Sequence, residues 1–354
     1  MWSGKKYKRC CLGRDRAAKV KDLGARDEQG RLIGRPFIDT IYEGKRVRAV
    51  GAQIVFRPPQ ETKHEFFVHV LANTLGNAWK EAQDKLAPEE RHPIITWVDA
   101  WDEMRRDGGS KALDRREEQP GVYSSTATGD ALALIALAYD MYALRHAMVI
   151  SPDDPIVKRL GNRDQFQGAR YELAVAAIFV RAGYEVEWLT DTWRKLPEFI
   201  ARREGGGVQI AVEAKSRPRP GVLGRPGDRP DEAELKADLS RLLRDALKKE
   251  TGGQPLVIFL DLNLPLGEER TFQKWIEKLH DEVLASTGEA SAERPDPYSA
   301  VVFTNFSWHW DGDNPTGGAE RFLALPVYPN VPLPGGEADR FFEAINQYGS
   351  VPEV

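Results

Sequence analysis

The stretch VQIAVEAKS at residues 208–216 constrains this chain more than any other. Its β-branched and small apolar residues read as a strand, and a strand turns alternate side chains to opposite faces. Val208, Ile210, Val212 and Ala214 then share one face, while Gln209, Ala211, Glu213 and Lys215 share the other. A lone Glu-x-Lys on an edge strand is a surface ion pair. Here the strand is rich in apolar residues and lies inside a run of alternating helical and strand patterns, so both faces are expected to be covered. A carboxylate and an ammonium covered together need partners or a metal ion.

That alternation begins at residue 166. FQGARYELAVAAIFVRAG is a helix closed by a glycine. YEVEWL, EFIARR and VQIAVEAKS follow as strands, with Gly205–Gly207 turning the chain between the last two. A helix is expected at about 231–250, a strand at PLVIFLDL (255–262), a helix around 271–286, and strands near 299–306 and 321–328. Two further carboxylates belong to this run. Glu198 follows Pro197 at the mouth of the strand that pairs with 208–216, where it either reaches Glu213 or is solvated. Glu172 is the only charge between Arg170 and Arg181, on a helix apolar on nearly every face. It is either a first-turn acid favoured by the helix dipole or a ligated or paired carboxylate.

Helix-Glu, strand, Pro–Glu strand, hairpin and Glu-x-Lys strand together resemble the PD-(D/E)xK nuclease superfamily, in particular its restriction-endonuclease-like and Mrr-like members. The resemblance implies an α/β fold with an αβββαβ core in the C-terminal half, followed by residues 166–262. It matches Pro197–Glu198 to the family's Pro-Asp, Glu213-Ala214-Lys215 to its (D/E)xK, and Glu172 to its helix acid. Glu198 stands where Asp is usual. The catalytic set implied is Glu172, Glu198, Glu213 and Lys215, with Mg²⁺ or Mn²⁺ on the three carboxylates, since hard cations take oxygen ligands. Lys215 would orient the attacking water or offset charge on the phosphate. The partner implied is a nucleic acid, DNA first.

After the lysine comes RPRPGVLGRPGDRP (217–230), where Arg217, Arg219, Arg225 and Arg229 face a single Asp228. Long loops inside compact domains are often functional. Arg217, Arg219 and Arg225 are therefore candidate phosphate contacts, against the reading of a solvated linker. His92 and His309 sit among aromatics without metal spacing and read as packing. DGDN (311–314) lacks the rest of a calcium loop and reads as a turn.

Net charge is −4, so any nucleic-acid surface must be a local patch. Cys10 and Cys11 are the only cysteines, which excludes a disulfide framework and makes a reducing cytoplasm the expectation. The basic start is not followed by an apolar signal-peptide run. The longest apolar run, residues 131–150, is interrupted by Asp140, Arg145 and His146 and reads as a buried helix. SGKKYKRCCLG at the start is similar to the second half of the SEC-C zinc motif, C-x-C-G-S-G-K-K-Y-K-x-C-C/H. Cys10 and Cys11 supply two ligands of a four-ligand site. The expectation is an incomplete half-site without stoichiometric zinc, from a truncated or misplaced start or a relic motif, with a zinc shared between two chains as the lesser alternative.

These readings divide the chain into a partial SEC-C motif (1–13), a mainly helical region with a short β hairpin (30–150), a nuclease-like domain (160–330) and a C-terminal tail (331–354). The leading function is metal-dependent hydrolysis of nucleic-acid phosphodiesters. The alternatives are a non-catalytic nucleic-acid- or protein-binding member of the same fold, and a SEC-C-type adaptor, with a protein partner or a homodimer open in each case.

Overall fold

The computed structural model describes residues 25–351 apart from 28–29, 112–113, 116–122, 125, 191–193, 204–206, 218–231, 265–280, 282–287 and 289. It is a mixed α/β structure whose C-terminal half is built on one six-stranded sheet.

Two short strands, β1 (Ala25–Arg26) and β2 (Leu32–Gly34), pair first. Strands β3 (Asp39–Tyr42), β4 (Lys45–Val50) and β5 (Gln53–Arg57) form an antiparallel three-stranded sheet, one strand more than the expected hairpin. Helix α1 (Lys63–Leu75) starts at a capping box, in which Thr62 and Glu65 satisfy each other's backbone N–H groups. Helices α2 (Asn77–Asp84) and α3 (Pro93–Lys111) follow. α3 runs to Lys111, and β6 (Asp114–Arg115) pairs with β7 (Tyr123–Ser124) beyond it. The apolar run is α4 (Gly129–His146), buried on almost every face. No helix among the described residues is long and apolar enough to cross a membrane.

After the short α5 (Pro155–Leu160) comes α6 (Phe166–Arg181), closed by Gly183 at φ +86°. A glycine takes that left-handed conformation without steric penalty and releases the chain into a strand. The sheet then forms from β8 (Tyr184–Trp188), β9 (Phe199–Arg203), β10 (Gln209–Ser216), β11 (Leu256–Asp261), β12 (Ala300–Asn305) and β13 (Glu320–Ala324). Their order in space is β13-β12-β11-β10-β9-β8. β8, β9 and β10 are an antiparallel meander, whereas β11 and β12 run parallel to β10. The crossover from β10 to β11 carries α7 (Glu232–Ala246).

Alternation along the central strands builds two apolar layers. Ile210, Val212, Val257 and Phe259 join a cluster with α6, α4 and α1, while Ala211, Ile258 and Leu260 meet Leu239, Leu242 and Leu243 of α7. β10 is therefore covered on both faces, as its composition suggested. The first cluster is continuous from Phe66 and Phe67 of α1 to Val302 of β12. Residues 331–354, read from the sequence as a tail, include α8 (Glu337–Asn346), whose Phe341 stacks on Phe179 with centroids 5.8 Å apart.

Candidate active site

The helix–strand–strand–strand–helix–strand order from α6 to β11 brings the Glu–Lys strand to the centre of the sheet. Pairing of β9 with β10 sets Val212 opposite Phe199, and the Glu198 N–H donates to the Val212 carbonyl at 3.0 Å. Glu198 is thus fixed beside the end of β10. Lys215 Nζ lies 2.8 Å from Glu198 Oε1 and 2.7 Å from Glu213 Oε1. The two carboxylates are therefore within two hydrogen-bond lengths of each other, bridged by one ammonium.

Two cations that sequence reasoning missed complete the cluster. Lys249, just past α7, places Nζ 3.0 Å from Glu213 Oε1 and donates to the Leu196 carbonyl at 2.9 Å. Arg159 of α5 grips Glu172 with both ends of its guanidinium, at 2.7 and 2.8 Å. Glu172 comes from α6, and its charge is felt together with those of Glu198 and Lys215. Three carboxylates thus face three cations, and the cluster is neutral as it stands.

Burial raises the Glu213 pKa above the usual carboxylate value, against the pull of Lys215 and Lys249. Burial likewise raises Glu172, with Arg159 opposing. For Lys215, burial works against the charge, but Glu198 and Glu213 outweigh it and hold the pKa above the ordinary lysine value. Lys215 is a committed ammonium, a donor that does not take protons.

Beside this cluster runs a buried chain of hydrogen bonds. Gln167 donates to Ser216 Oγ at 2.8 Å, Ser216 donates to Asp261 Oδ2 at 3.0 Å, and Asp261 Oδ1 accepts from Thr304 and from the Phe306 N–H. Tyr171 closes the chain on Thr304 at 2.8 Å. It locks the end of β10 to α6, β11 and β12. Its only sequence signal was an Asp at the end of an apolar strand.

Arg217 is a correction. Its side chain is fully buried, and Nε donates to Asp238 of α7 at 2.6 Å. It docks a helix and is not free to contact a phosphate. Arg219 and Arg225 lie outside the described residues, as do Cys10 and Cys11. His92 packs edge-on against Phe166 and Trp79, with burial pushing its pKa down to about 4. His309 is buried beside Trp97 and Trp310. Asp311–Asn314 is a turn closed by the Asn314 N–H on the Asp311 carbonyl.

The donor set fits a hard cation in part. Glu213 Oε2 is buried and meets no hydrogen-bond donor among the described residues, the kind of acceptor a cation completes. Glu198 is the nearby second oxygen donor. Glu172 must first exchange Arg159 for the ion. Among the described residues no group of three or more His, Cys, Asp or Glu side chains already stands at metal-holding geometry.

No protein-family model matches the chain, and no curated protein matches it. The solved structure of Pyrococcus furiosus SfsA in complex with Ca²⁺ is similar at 16% identity over 47% of this chain, with a TM-score of 0.18. The match spans 65% of that protein, less than two thirds of its length. A likeness of that size carries no argument about fold or chemistry, and the functional reading rests on the site itself.

Proposed function

We propose that this protein is a metal-dependent nuclease of the PD-(D/E)xK type, acting on nucleic-acid phosphodiesters. The observation that carries the proposal is Lys215 bridging Glu198 and Glu213 at the end of a central strand, with Glu172 of α6 near enough to feel the charges of Glu198 and Lys215. Glu198 and Glu213, joined by Glu172 after release from Arg159, would hold Mg²⁺ or Mn²⁺. A bound divalent ion supplies Lewis acidity toward the phosphate and lowers the pKa of an attacking water. Lys215, held charged, donates to that water or to the phosphoryl oxygen where charge develops. Lys249, with Lys215, pulls the Glu213 pKa down against its burial and so favours the ionised carboxylate. Arg159, once released, is a second cation within reach of the phosphate.

A second reading is favoured by one specific observation. Arg159 closes Glu172 and the cluster is charge-balanced without an ion, as suits a non-catalytic binding member of the same fold.

One experiment separates the two. Mn²⁺ is titrated calorimetrically into wild type and Glu213→Gln, and each is incubated with single- and double-stranded DNA and RNA in Mg²⁺, Mn²⁺ or EDTA. The nuclease reading expects metal binding that Glu213→Gln loses and cleavage that EDTA stops. Nucleic-acid binding with neither metal uptake nor cleavage transfers the assignment to the binding module.

A further inference from the structure

The three-stranded sheet β3–β5 turns one face to the core and one to water, and its register separates them. Tyr42 stands opposite Lys45, Phe56 opposite Val47 and Ile54 opposite Ala49, so all six share the outer face. The turn Glu43–Gly44, both residues at positive φ, pins that register. The inner face carries Val50 and Val55, which pack on the core, and Arg48, which is fully buried.

The outer face is apolar where the solvent side of an antiparallel sheet is ordinarily polar. Tyr42 is 60% exposed, Ile54 65% and Phe56 56%. Ile38, between the inward-turned Phe37 and Asp39, is 52% exposed. None of the described residues covers this face. An aromatic side chain buries roughly 150–250 Å² when covered. These four residues therefore leave on the order of 400 Å² of apolar surface in water, the scale of a patch that marks an interaction site.

The charges around the patch select the partner. Strand β4 reads KRVRAV, yet both arginines turn inward. Arg46 pairs with Asp39 at 3.0 Å, and Arg48 pairs with Asp39 and Glu61 at 3.2 Å each. Among the outer-face residues of the three strands Lys45 is the only cation. A nucleic-acid strand needs cations for successive phosphates beside its stacking rings, and one lysine does not supply them. At the hairpin tip Lys45 stands two residues from Glu43, and neither side chain has a hydrogen-bond or ion-pair partner among the described residues. An apolar centre rimmed by one acid and one base is complementary to itself. A two-fold axis through the patch sets Glu43 of each copy toward Lys45 of the other.

We propose that two copies of this chain dock through the outer faces of β3–β5, sheet against sheet. Stacked sheets lie about 10 Å apart with their apolar side chains interdigitated. A specific interface needs about 1,000 Å² in total, or about 500 Å² from each copy. The apolar patch with its rim of Thr40, Glu43, Lys45 and Gln53 reaches that size without greatly exceeding it, so the dimer is of micromolar affinity. The proposal does not depend on the nuclease reading.

Sedimentation equilibrium of the full chain, from about 1 to 200 µM, reads this affinity directly. Wild type is compared with Ile54→Thr and Phe56→Thr, in which a β-branched residue keeps the strand. Each substitution acts twice across a two-fold interface, so either is expected to weaken dimerisation about tenfold or more. Thermal midpoints at the dilute end, where the protein is monomeric, should stay near that of wild type, because the altered side chains face water there. Charge reversal adds an arm that a folding defect cannot mimic. Glu43→Lys and Lys45→Glu should each weaken the dimer about two- to fivefold at low salt, and the double reversal should restore it. A wild type that is monomeric throughout the range overturns the proposal. So does a dimer that both threonine variants leave unchanged, which would place the contact on another face. A monomer that binds single-stranded DNA or RNA in EDTA, and loses that binding in Phe56→Thr, also overturns it and gives the face to nucleic acid.

Discussion

Lys249 reaches Glu213 from beyond the crossover helix and adds to the pull of Lys215 on its pKa. Glu213 is buried, and burial alone pushes its pKa upward. Lys215 and Lys249 oppose that rise, so removing Lys249 lets the carboxyl protonate at higher pH. Metal uptake needs the ionised carboxylate. Lys249→Met is therefore expected to move the acid limb of the Mn²⁺-binding curve to higher pH, while leaving saturation at alkaline pH intact. An unmoved limb would show that Lys249 is only a tether to Leu196. At this scale the sequence was readable where charges lie close along the chain. Glu213, Lys215 and Glu198 were legible from strand alternation and one turn. Arg159 and Lys249 were not, because each meets its carboxylate through tertiary packing that no local spacing encodes. Arg217 misled because an arginine opening a Pro/Gly-rich loop looks solvated, whereas Asp238 on α7 draws it inside.

The elements tell a similar story, with α4 as the clearest case. Its apolar run was legible as a buried helix, yet it begins on a titratable group. Asp130, in the first turn after the Thr128 cap, is buried. Burial, with Asp313 nearby, pushes its pKa from the ordinary 3.8 up to about 6. The unfolded chain releases this proton near pH 4, while the folded chain keeps it to about pH 6. Between those values the folded state binds more protons, so stability falls as pH rises. Two pKa units bound the loss at about 3 kcal/mol, and the helix dipole reduces it. Denaturant titrations of wild type should show that decline, and Asp130→Asn should flatten it. A wild-type stability that rises across this interval through Asp130 would contradict the assignment. The three-stranded sheet was harder to read. Its solvent face carries Tyr42, Ile54 and Phe56, each more than half exposed, so the usual apolar-in alternation is blurred.

Across the whole molecule, the order of elements from α6 to β11 was the most legible part. Its periods alternate between helical and strand spacing, and the central strands are too apolar to face water. The last helix was not recognised, although Phe341 and Ile345 stand four apart in a helical pattern. Its role depends on distant partners: Glu337, buried at its start, receives Arg203 of β9 at 2.7 Å and the Tyr184 hydroxyl of β8. One continuous core joins the N-terminal helices to the sheet, so the scaffold behind the Glu–Lys cluster draws on residues far outside the motif. That scaffold holds Lys215 as an ammonium between two carboxylates, and the account gives it a role felt mainly in the transition state. The most direct measurement is single-turnover cleavage of a nucleic acid in Mn²⁺ by wild type and Lys215→Ala, with binding affinity recorded in parallel. Cleavage by Lys215→Ala is expected to fall by about 10²-fold or more, the scale of losing one charge-stabilising donor, with affinity nearly unchanged. Equal cleavage by the two proteins would place the reaction elsewhere in the molecule.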